Sequence, residues 1–371
     1  MAPVSSTKFV IMTVSDLTAV DALLLAVGIV VVGLTVMSAI VTVVVPRGEP
    51  VRLTNAVFRA SRKLFEWRSD LLRHDYERRD RSMSRFAPVT LVALAFVWLT
   101  SVLLGFTAIF YALADELSWA YAFEASGSSL MTLGFVAVEG VDLYVVAFAE
   151  AGLGLLLLAL LITYLPTMYA AFSRREALVT RTSISAGEPP TAWALIRRYH
   201  LIAGTEKLHE NVWVPWTAGF VDIEESHTSL SALAMFRSTR PHRSWVTAAG
   251  AVMDAAALLQ SSIDGYDESS AQLTIRAGSL SLRAVADHHR IPHDRDPSPD
   301  DPISIAREEW EAVLDDLAAD GVPVAADRDR AWRDFRGWRV NYDSVVLGLA
   351  EFTMAPYAEW NADRSPPLRR A

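Results

Sequence analysis

The residues from Thr132 to Val136 carry the clearest chemistry in this chain. They read Thr132-Leu133-Gly134-Phe135-Val136. Backbone carbonyl oxygens of a narrow extended loop, helped by a Thr hydroxyl, can replace the water around a dehydrated cation. The glycine permits a backbone conformation that other residues avoid. The pattern therefore predicts a set of oxygen ligands for a cation.

Acidic side chains surround this loop, and basic ones are absent. Residues 86–173 contain six Asp or Glu and no Lys, Arg or His. Glu139 and Asp142 follow the loop closely, and we expect them at its outer mouth. Negative charge there would concentrate cations.

Long apolar runs must position the loop. The runs Ala22–Val45, Ala87–Ala114 and Ala151–Ser173 each reach the roughly 20 residues that a helix needs to cross a bilayer. Between the last two runs, Ser118–Val136 is too short to cross and reads as an aromatic-rich helix followed by a turn. This order predicts a re-entrant segment between two spans.

Composition narrows the function classes. The chain has 371 residues, of which 52% are hydrophobic, no cysteine and a formal net charge of -9. The absence of cysteine excludes disulfides, thiolate metal sites and cysteine nucleophiles. The acidic balance argues against nucleic acid as a partner.

The distribution of basic residues predicts orientation. The segment 47–86 holds eleven Lys or Arg against six acids, and a second basic cluster follows at Arg174, Arg175 and Arg181. The positive-inside rule places both in the cytoplasm. The N-terminus is then outside, the loop is entered from outside, and the C-terminal domain is cytoplasmic. The expected location is the plasma membrane, with several spans.

Residues 54–86 alternate apolar and basic positions at helical spacing. This pattern is typical of an interfacial helix lying on anionic lipid. A solvated charged linker helix is an equally good interpretation.

Four residues of the third apolar run call for an interpretation. An ionisable Glu150 inside a span is a candidate functional group, although a structural hydrogen bond beside the short helix is the favoured role. Gly152 and Gly154 permit bending or close packing. Pro166 is expected to kink the helix, and a gating hinge is the alternative.

The C-terminal part reads as all-helical. Asp301-Pro302 is expected to cap a helix running through Leu317, and a last helix is expected from about Asp327 to Leu349.

Two Glu-x-x-His pairs in this part, Glu206 with His209 and Glu224 with His227, have the spacing of a carboxylate-bridged metal site. They are weak candidates, with surface or capping roles as the alternative. A further cluster, His288, His289 and His293 with Asp294 and Asp296, lies beside a loop and is expected to be solvated, with metal ligation as the alternative.

The loop and its surroundings resemble a known family. The run Ser118–Phe172 resembles the pore module of potassium channels, whose filter reads Thr-Val-Gly-Tyr-Gly or Thr-x-Gly-Phe-Gly. Thr163–Glu176 and Gly187-Glu188-Pro189-Pro190 are similar to an actinobacterial group of potassium-channel-like membrane proteins. The resemblance implies that Thr132–Val136 form the filter. Val136 stands where the family has glycine, which puts the outermost ion site and the potassium selectivity in question.

We therefore expect an all-α integral membrane protein with three transmembrane helices, one re-entrant pore helix and filter loop, and a cytoplasmic all-α domain. The expected divisions are 1–46, 47–86, 87–173 and 174–371. The expected function is a potassium or other cation channel subunit, acting as a homotetramer without a cofactor. The rival hypotheses are a non-conducting, channel-derived scaffold or sensor and a membrane-anchored helical metalloenzyme.

Overall fold

A computed structural model describes residues 18–45, 52–71, 85–114 and 118–365. Within these ranges the chain forms helices and no strand, with one isolated bridge between Ile263 and Val324. The all-α prediction is therefore confirmed for the described chain. The α-helices are α1 Ala19–Val43, α2 Arg52–Leu71, α3 Phe86–Leu113, α4 Trp119–Leu130, α5 Val141–Ala186, α6 Ala192–Arg198, α7 Val214–Ser229, α8 Trp245–Ser262, α9 Ser269–His288, α10 Arg307–Ala319, α11 Arg328–Arg339 and α12 Asp343–Thr353.

Three helices, α1, α3 and α5, are long and apolar enough to cross a membrane, as the apolar runs predicted. Helix α5 is longer than its apolar run. Its 46 residues correspond to about 69 Å at about 1.5 Å per residue, more than twice the roughly 30 Å of a hydrocarbon layer. Helix α5 therefore continues beyond the apolar run Ala151–Ser173 at both ends.

The contacts divide the chain into two compact units. The first, called here the membrane-helix unit, comprises the described residues of 1–64 and 88–167. The second, the C-terminal unit, comprises those of 65–87 and 168–371.

Small residues hold α1 against α3 in the membrane-helix unit. A Cβ atom at Gly28 would lie 2.6 Å from the Gly105 carbonyl oxygen, and one at Gly105 would lie 2.7 Å from a Val32 methyl group. Neither glycine can be enlarged without moving a helix, which is how small residues permit close helix packing in membranes. Trp98 adds a hydrogen bond from its indole to Ser38 Oγ at 3.2 Å.

Helix α2 begins with its first turns docked on α1. The Thr54 hydroxyl lies 3.1 Å from Ser38 Oγ and 2.9 Å from Thr42 Oγ1. Leu53 and Val57 pack against the apolar core of the unit. The predicted helix over 54–86 is thus present to Leu71, and residues 72–84 lie outside the described chain.

The core of the C-terminal unit is built around the Ala-rich helix α8, of which nearly every residue is buried. Its N-terminus is capped by the Ser244 hydroxyl, which accepts a hydrogen bond from the Val246 N–H at 3.2 Å. Burial on all sides explains why α8 lacks a polar face.

Two predicted helix boundaries in this unit are wrong. The helix expected to start at Asp301 starts at Arg307, because Ser304 N–H and Oγ both donate to the Asp343 carboxylate at 2.7 Å and hold the segment in a non-helical course. The helix expected over 327–349 is two helices, α11 and α12, separated at Val340–Tyr342.

Candidate functional site

The predicted short helix is present as α4, between α3 and α5. The Ser118 hydroxyl caps it by accepting a hydrogen bond from the Tyr121 N–H at 3.2 Å. Its 12 residues extend about 18 Å, so α4 is too short to cross the hydrocarbon layer.

Aromatic contacts fix the start of α4. Trp119 stacks on Tyr111 of α3, with ring centroids 4.1 Å apart. Tyr121 donates its hydroxyl hydrogen to the Ala137 carbonyl at 2.8 Å, tying the helix to the far end of the loop. Phe135 of the loop is 66% exposed in the single chain.

The backbone of the loop alternates in the sign of φ. Thr132 has φ 53° and Gly134 has φ 70°, whereas Leu133 and Phe135 have negative φ. Positive φ at two positions so close together bends the chain sharply back after α4. Thr132 is strained in this conformation, since residues other than glycine rarely adopt it.

Three N–H groups of the loop donate hydrogen bonds to α4. Thr132 N–H donates to the Ser129 carbonyl at 3.0 Å, and Leu133 N–H to the Ser128 carbonyl at 2.8 Å. Val136 N–H donates to Ser128 Oγ at 3.2 Å.

The carbonyl groups of the loop accept none of these hydrogen bonds. Within the described chain, no backbone hydrogen bond of the loop ends on a carbonyl oxygen of the residues from Thr132 to Phe135. These residues are also exposed, Leu133 to 63%. The loop therefore offers a run of free oxygens at an uncovered surface.

Val136 departs from the rest of the loop. It has negative φ and is partly buried against the apolar core of the unit. The left-handed conformation that a β-branched residue resists is thus absent here, and the alternation stops at Gly134.

The predicted mouth acids are exposed. Glu139 lies between the loop and α5, and Asp142 lies in the first turn of α5. A carboxylate in a first helical turn interacts favourably with the helix dipole. Asp115 and Glu116 lie outside the described residues.

Glu150 of α5 is fully buried against α4. Ser126 Oγ lies 2.6 Å from Glu150 Oε1 and 2.9 Å from the Leu103 carbonyl oxygen of α3. One serine hydroxyl therefore joins three helices, and Glu150 has the hydrogen-bond partner on the short helix that its favoured interpretation required.

The other selected residues of α5 differ from one another. A Cβ at Gly154 would lie 2.3 Å from the Leu130 carbonyl oxygen, so α4 ends directly against this glycine. Gly152 has no neighbour within 4 Å of such an atom. Helix α5 continues through Pro166 to Ala186 without an interruption.

The Glu-x-x-His residues are engaged separately in the C-terminal unit. Glu206 lies in a 3-10 turn, and His209 Nδ1 lies 3.2 Å from a Glu268 carboxylate oxygen. Glu224 accepts a hydrogen bond from Ser281 at 3.1 Å. No cluster of three or more His, Asp or Glu in the described chain could hold a metal ion.

His227 instead contacts a cation. Its Nε2 lies 3.0 Å from Nη1 of Arg175, which is buried near the C-terminal end of α5. The same guanidinium donates to the carbonyl oxygens of Leu233 at 3.0 Å and Phe236 at 2.6 Å. A guanidinium at this distance is incompatible with a metal ion on Nε2, since both need the same lone pair.

A second buried arginine, Arg339, was not predicted from the sequence. Arg339 donates to Asp254 of α8, to Asp343 at 2.7 Å and to the Trp360 carbonyl oxygen at 2.7 Å. Neither α11 nor α8 shows a sequence pattern that pairs them. The only signal was an aspartate in an otherwise apolar helix, α8, since buried charges are normally paired.

The described part of the membrane-helix unit thus presents exposed backbone oxygens in its loop, and the C-terminal unit contains buried clusters around Arg175 and Arg339. Function has to be argued from these sites and not from fold alone. Comparisons with protein-family models, with curated proteins and with solved structures found no match.

Proposed function

We propose that this protein is the subunit of a cation channel, with potassium as the expected ion. One observation carries the proposal: in the loop after α4, the N–H groups of Thr132, Leu133 and Val136 donate to α4, while the carbonyl oxygens from Thr132 to Phe135 accept no recorded hydrogen bond. Such oxygens replace the hydration shell of a permeating cation.

A single loop cannot enclose an ion. Filters of this kind are built from four loops around an axis, so the proposal requires a homotetramer. The exposure of Leu133 and Phe135, 63% and 66%, fits a surface that neighbouring subunits cover. No cofactor is needed, because the permeating ion supplies the charge that the oxygens bind.

Charge favours a cation over an anion. Described acids near the loop, Glu124, Glu139 and Asp142, are exposed, and the stretch 86–173 contains no basic residue. Repeated around four chains, these carboxylates would raise the local cation concentration. Segment 47–86 is rich in Lys and Arg. By the positive-inside rule this supports an orientation in the plasma membrane with the loop outside and the C-terminal unit in the cytoplasm.

Helix α2 is the proposed contact with anionic lipid. Its first turns are docked on α1 through Thr54, while Leu64 and Trp67 further along are 59% and 64% exposed. Exposed apolar and aromatic side chains among Arg59 and Lys63 are typical of helices that lie at a charged membrane surface.

The test is ion flux through the full-length protein in liposomes. Gly134→Ala places an L side chain in a left-handed backbone conformation, which destabilises that conformation by about 1–2 kcal/mol per residue. This destabilisation would occur in each of the four chains. We expect loss of potassium flux. Gly33→Ala on α1 is the matched control, because no atom lies within 4 Å of a Cβ added there, and it should conduct like the wild type. Equal flux in both variants would contradict the proposal.

A non-conducting scaffold is the second candidate, and Val136 favours it. The alternating backbone ends at Gly134, which leaves at most a shortened set of oxygen rings. Val136→Gly separates the two candidates. A channel with a shortened filter should gain potassium preference over sodium, whereas a scaffold should remain silent.

A further inference from the structure

Glu150 is the one acidic side chain of the described membrane-helix unit that is buried. Its residue surface is 0% exposed, and its Oε2 atom has no hydrogen-bond partner. The single contact is between Oε1 and Ser126 Oγ, at 2.6 Å. An ionised carboxylate in such a place would lack nearly all of the solvation that it has in water, which is among the most costly situations for a charge.

Among the residues that the structure describes, Glu150 forms no ion pair that would offset this cost. Helix α3 contains no charged residue, and the only charge of α4, Glu124, is exposed. On α5 itself the nearest charged residue is Asp142, which is also exposed, and α1 carries only Asp21, which bonds to Thr18. The groups that do face Glu150 are the Ser126 hydroxyl and, behind it, the Leu103 carbonyl.

Hydrogen counting points to the neutral acid. Ser126 Oγ is within reach of both Glu150 Oε1 and the Leu103 carbonyl oxygen, but a hydroxyl has one hydrogen to donate. If Glu150 is protonated, its O–H donates to Ser126, and Ser126 donates to Leu103. Every contact is then a hydrogen bond, and Oε2 is left as an uncharged carbonyl oxygen.

Ionisation removes this relay. The Ser126 hydrogen must then turn to the carboxylate, and its lone pairs face the Leu103 oxygen at 2.9 Å. That oxygen keeps only the bonds from its own helix, among them one from Thr107 Oγ1 at 2.7 Å. The hydrogen bond between Ser126 of α4 and Leu103 of α3 is then lost, and α4 is the helix that carries the loop.

We propose that Glu150 is a proton-binding site, neutral in the folded protein, whose ionisation loosens α4 and closes the path for ions. The protonated state stands on geometry alone. The effect on ions rests on the proposed channel function.

Infrared difference spectroscopy of the full-length protein in liposomes tests the protonated state. The wild type at neutral pH should show a protonated-carboxyl C=O band that is missing in Glu150→Gln, whose amide can also donate to Ser126. Ser126→Ala should keep the band but shift it, because the hydrogen bond is lost. No band assignable to Glu150 in either comparison would overturn the proposal. The Ser126→Ala spectrum still decides the matter if the Gln variant fails to fold.

Flux measurements on the same liposomes test the coupling. Wild-type flux should fall on the alkaline side by about tenfold per pH unit beyond the midpoint, following the neutral fraction of the acid. Glu150→Gln should conduct with no such fall. Flux that declines equally in both would overturn the coupling while leaving the infrared result intact. An absence of flux at every pH would instead overturn the channel proposal and the coupling with it.

Discussion

At the residue scale, the protonation state of a buried side chain follows from which atoms around it can donate a hydrogen bond. A guanidinium has donors only, so the contact between Arg175 Nη1 and His227 Nε2 requires the histidine to accept. His227 is therefore neutral with its hydrogen on Nδ1, which can donate to Ser226 Oγ at 3.1 Å. The ring also lies 4.7 Å from the Trp245 ring, centroid to centroid.

A cluster that was expected to be solvated follows the same logic. His289 Nε2 and His293 Nε2 are both buried without a hydrogen-bond partner. His288 Nε2 lies 2.6 Å from Ser231 Oγ. The expected solvation is wrong for His289, because its ring packs against Phe352 of α12, with the ring centroids 4.8 Å apart.

These histidines predict acid sensitivity. Burial first, and then neighbouring Arg175, holds the pKa of His227 well below its usual value. Burial and then His288 lower the pKa of His289 to about 3. Below about pH 6.5 the unfolded chain therefore binds protons at these histidines, and the folded chain does not. Each histidine then lowers the free energy of unfolding by at most about 1.4 kcal/mol for each pH unit of acidification. Stability should be complete above about pH 6.5 and be lost as pH falls from there towards about 3.

Thermal unfolding of the full-length protein in detergent, followed by tryptophan fluorescence across this pH range, is the measurement. His289→Gln should reduce the pH dependence by the share of one proton. An unaltered slope in His289→Gln would show that His289 is not the neutral group inferred here.

At the element scale, the start of α5 carries the charge that the proposed pore needs. Glu139 and Asp142 are exposed beside the loop. Salt screens such charges, with a Debye length of about 30 Å at 0.01 M and about 3 Å at 1 M. Glu139→Gln combined with Asp142→Asn should therefore lower flux at low salt and change it little at high salt.

The salt dependence of liposome flux decides between explanations for these acids. A loss of equal size at all salt concentrations would indicate damage to folding. No loss at any concentration would place the two carboxylates away from the ion path.

The break between α11 and α12 has a cause in α8. Asp254 accepts hydrogen bonds from Arg339, from the Tyr342 hydroxyl at 2.9 Å and from the Asn361 amide at 3.0 Å. The two helices and the C-terminal segment thus converge on one buried carboxylate. This convergence explains why the helix expected to continue to Leu349 is interrupted at Tyr342.

Removing the cation of this cluster should be costly. Arg339→Met leaves Asp254 and Asp343 buried without their partner, and breaking a buried pair costs about 3–5 kcal/mol. Arg330→Ala is the control, because the Arg330 side chain is 76% exposed. Denaturant unfolding of the full-length protein should show a large loss for the first variant and almost none for the second. Similar stability of the two would contradict the inferred role of the cluster.

At the scale of the whole molecule, orientation in the membrane is the prediction on which the pore proposal depends. The chain contains no cysteine, so single cysteines report cleanly. Glu139→Cys beside the loop should react with an impermeant thiol reagent in intact cells. Lys63→Cys on α2 should react only after permeabilisation. Val138 is unsuitable as a probe, since it is only 6% exposed.

The opposite labelling pattern would reverse the orientation. The loop would then be entered from the cytoplasm, and the C-terminal unit would lie outside. Both positions are exposed in the structure, so a failure to label either one in permeabilised cells would indicate coverage by lipid or by another subunit.

The sequence by itself determined the membrane helices, the short helix α4 and the helical character of the C-terminal unit. These features depend on local composition. The apolar runs of α1, α3 and α5 exclude charge over the length of a bilayer, and Ser118 caps the short helix through residues three positions apart. Local patterns of this kind are readable because their partners are near in the chain.

Only the tertiary structure decided which side chains meet. Ser126 and Glu150 are 24 residues apart, and Arg339 and Asp254 are 85 apart, and no local spacing encodes such pairs. The helix expected to start at Asp301 starts later for the same reason, because Ser304 bonds to Asp343, 39 residues away in the chain. The break at Tyr342 likewise lies where its hydroxyl bonds to Asp254, 88 residues away.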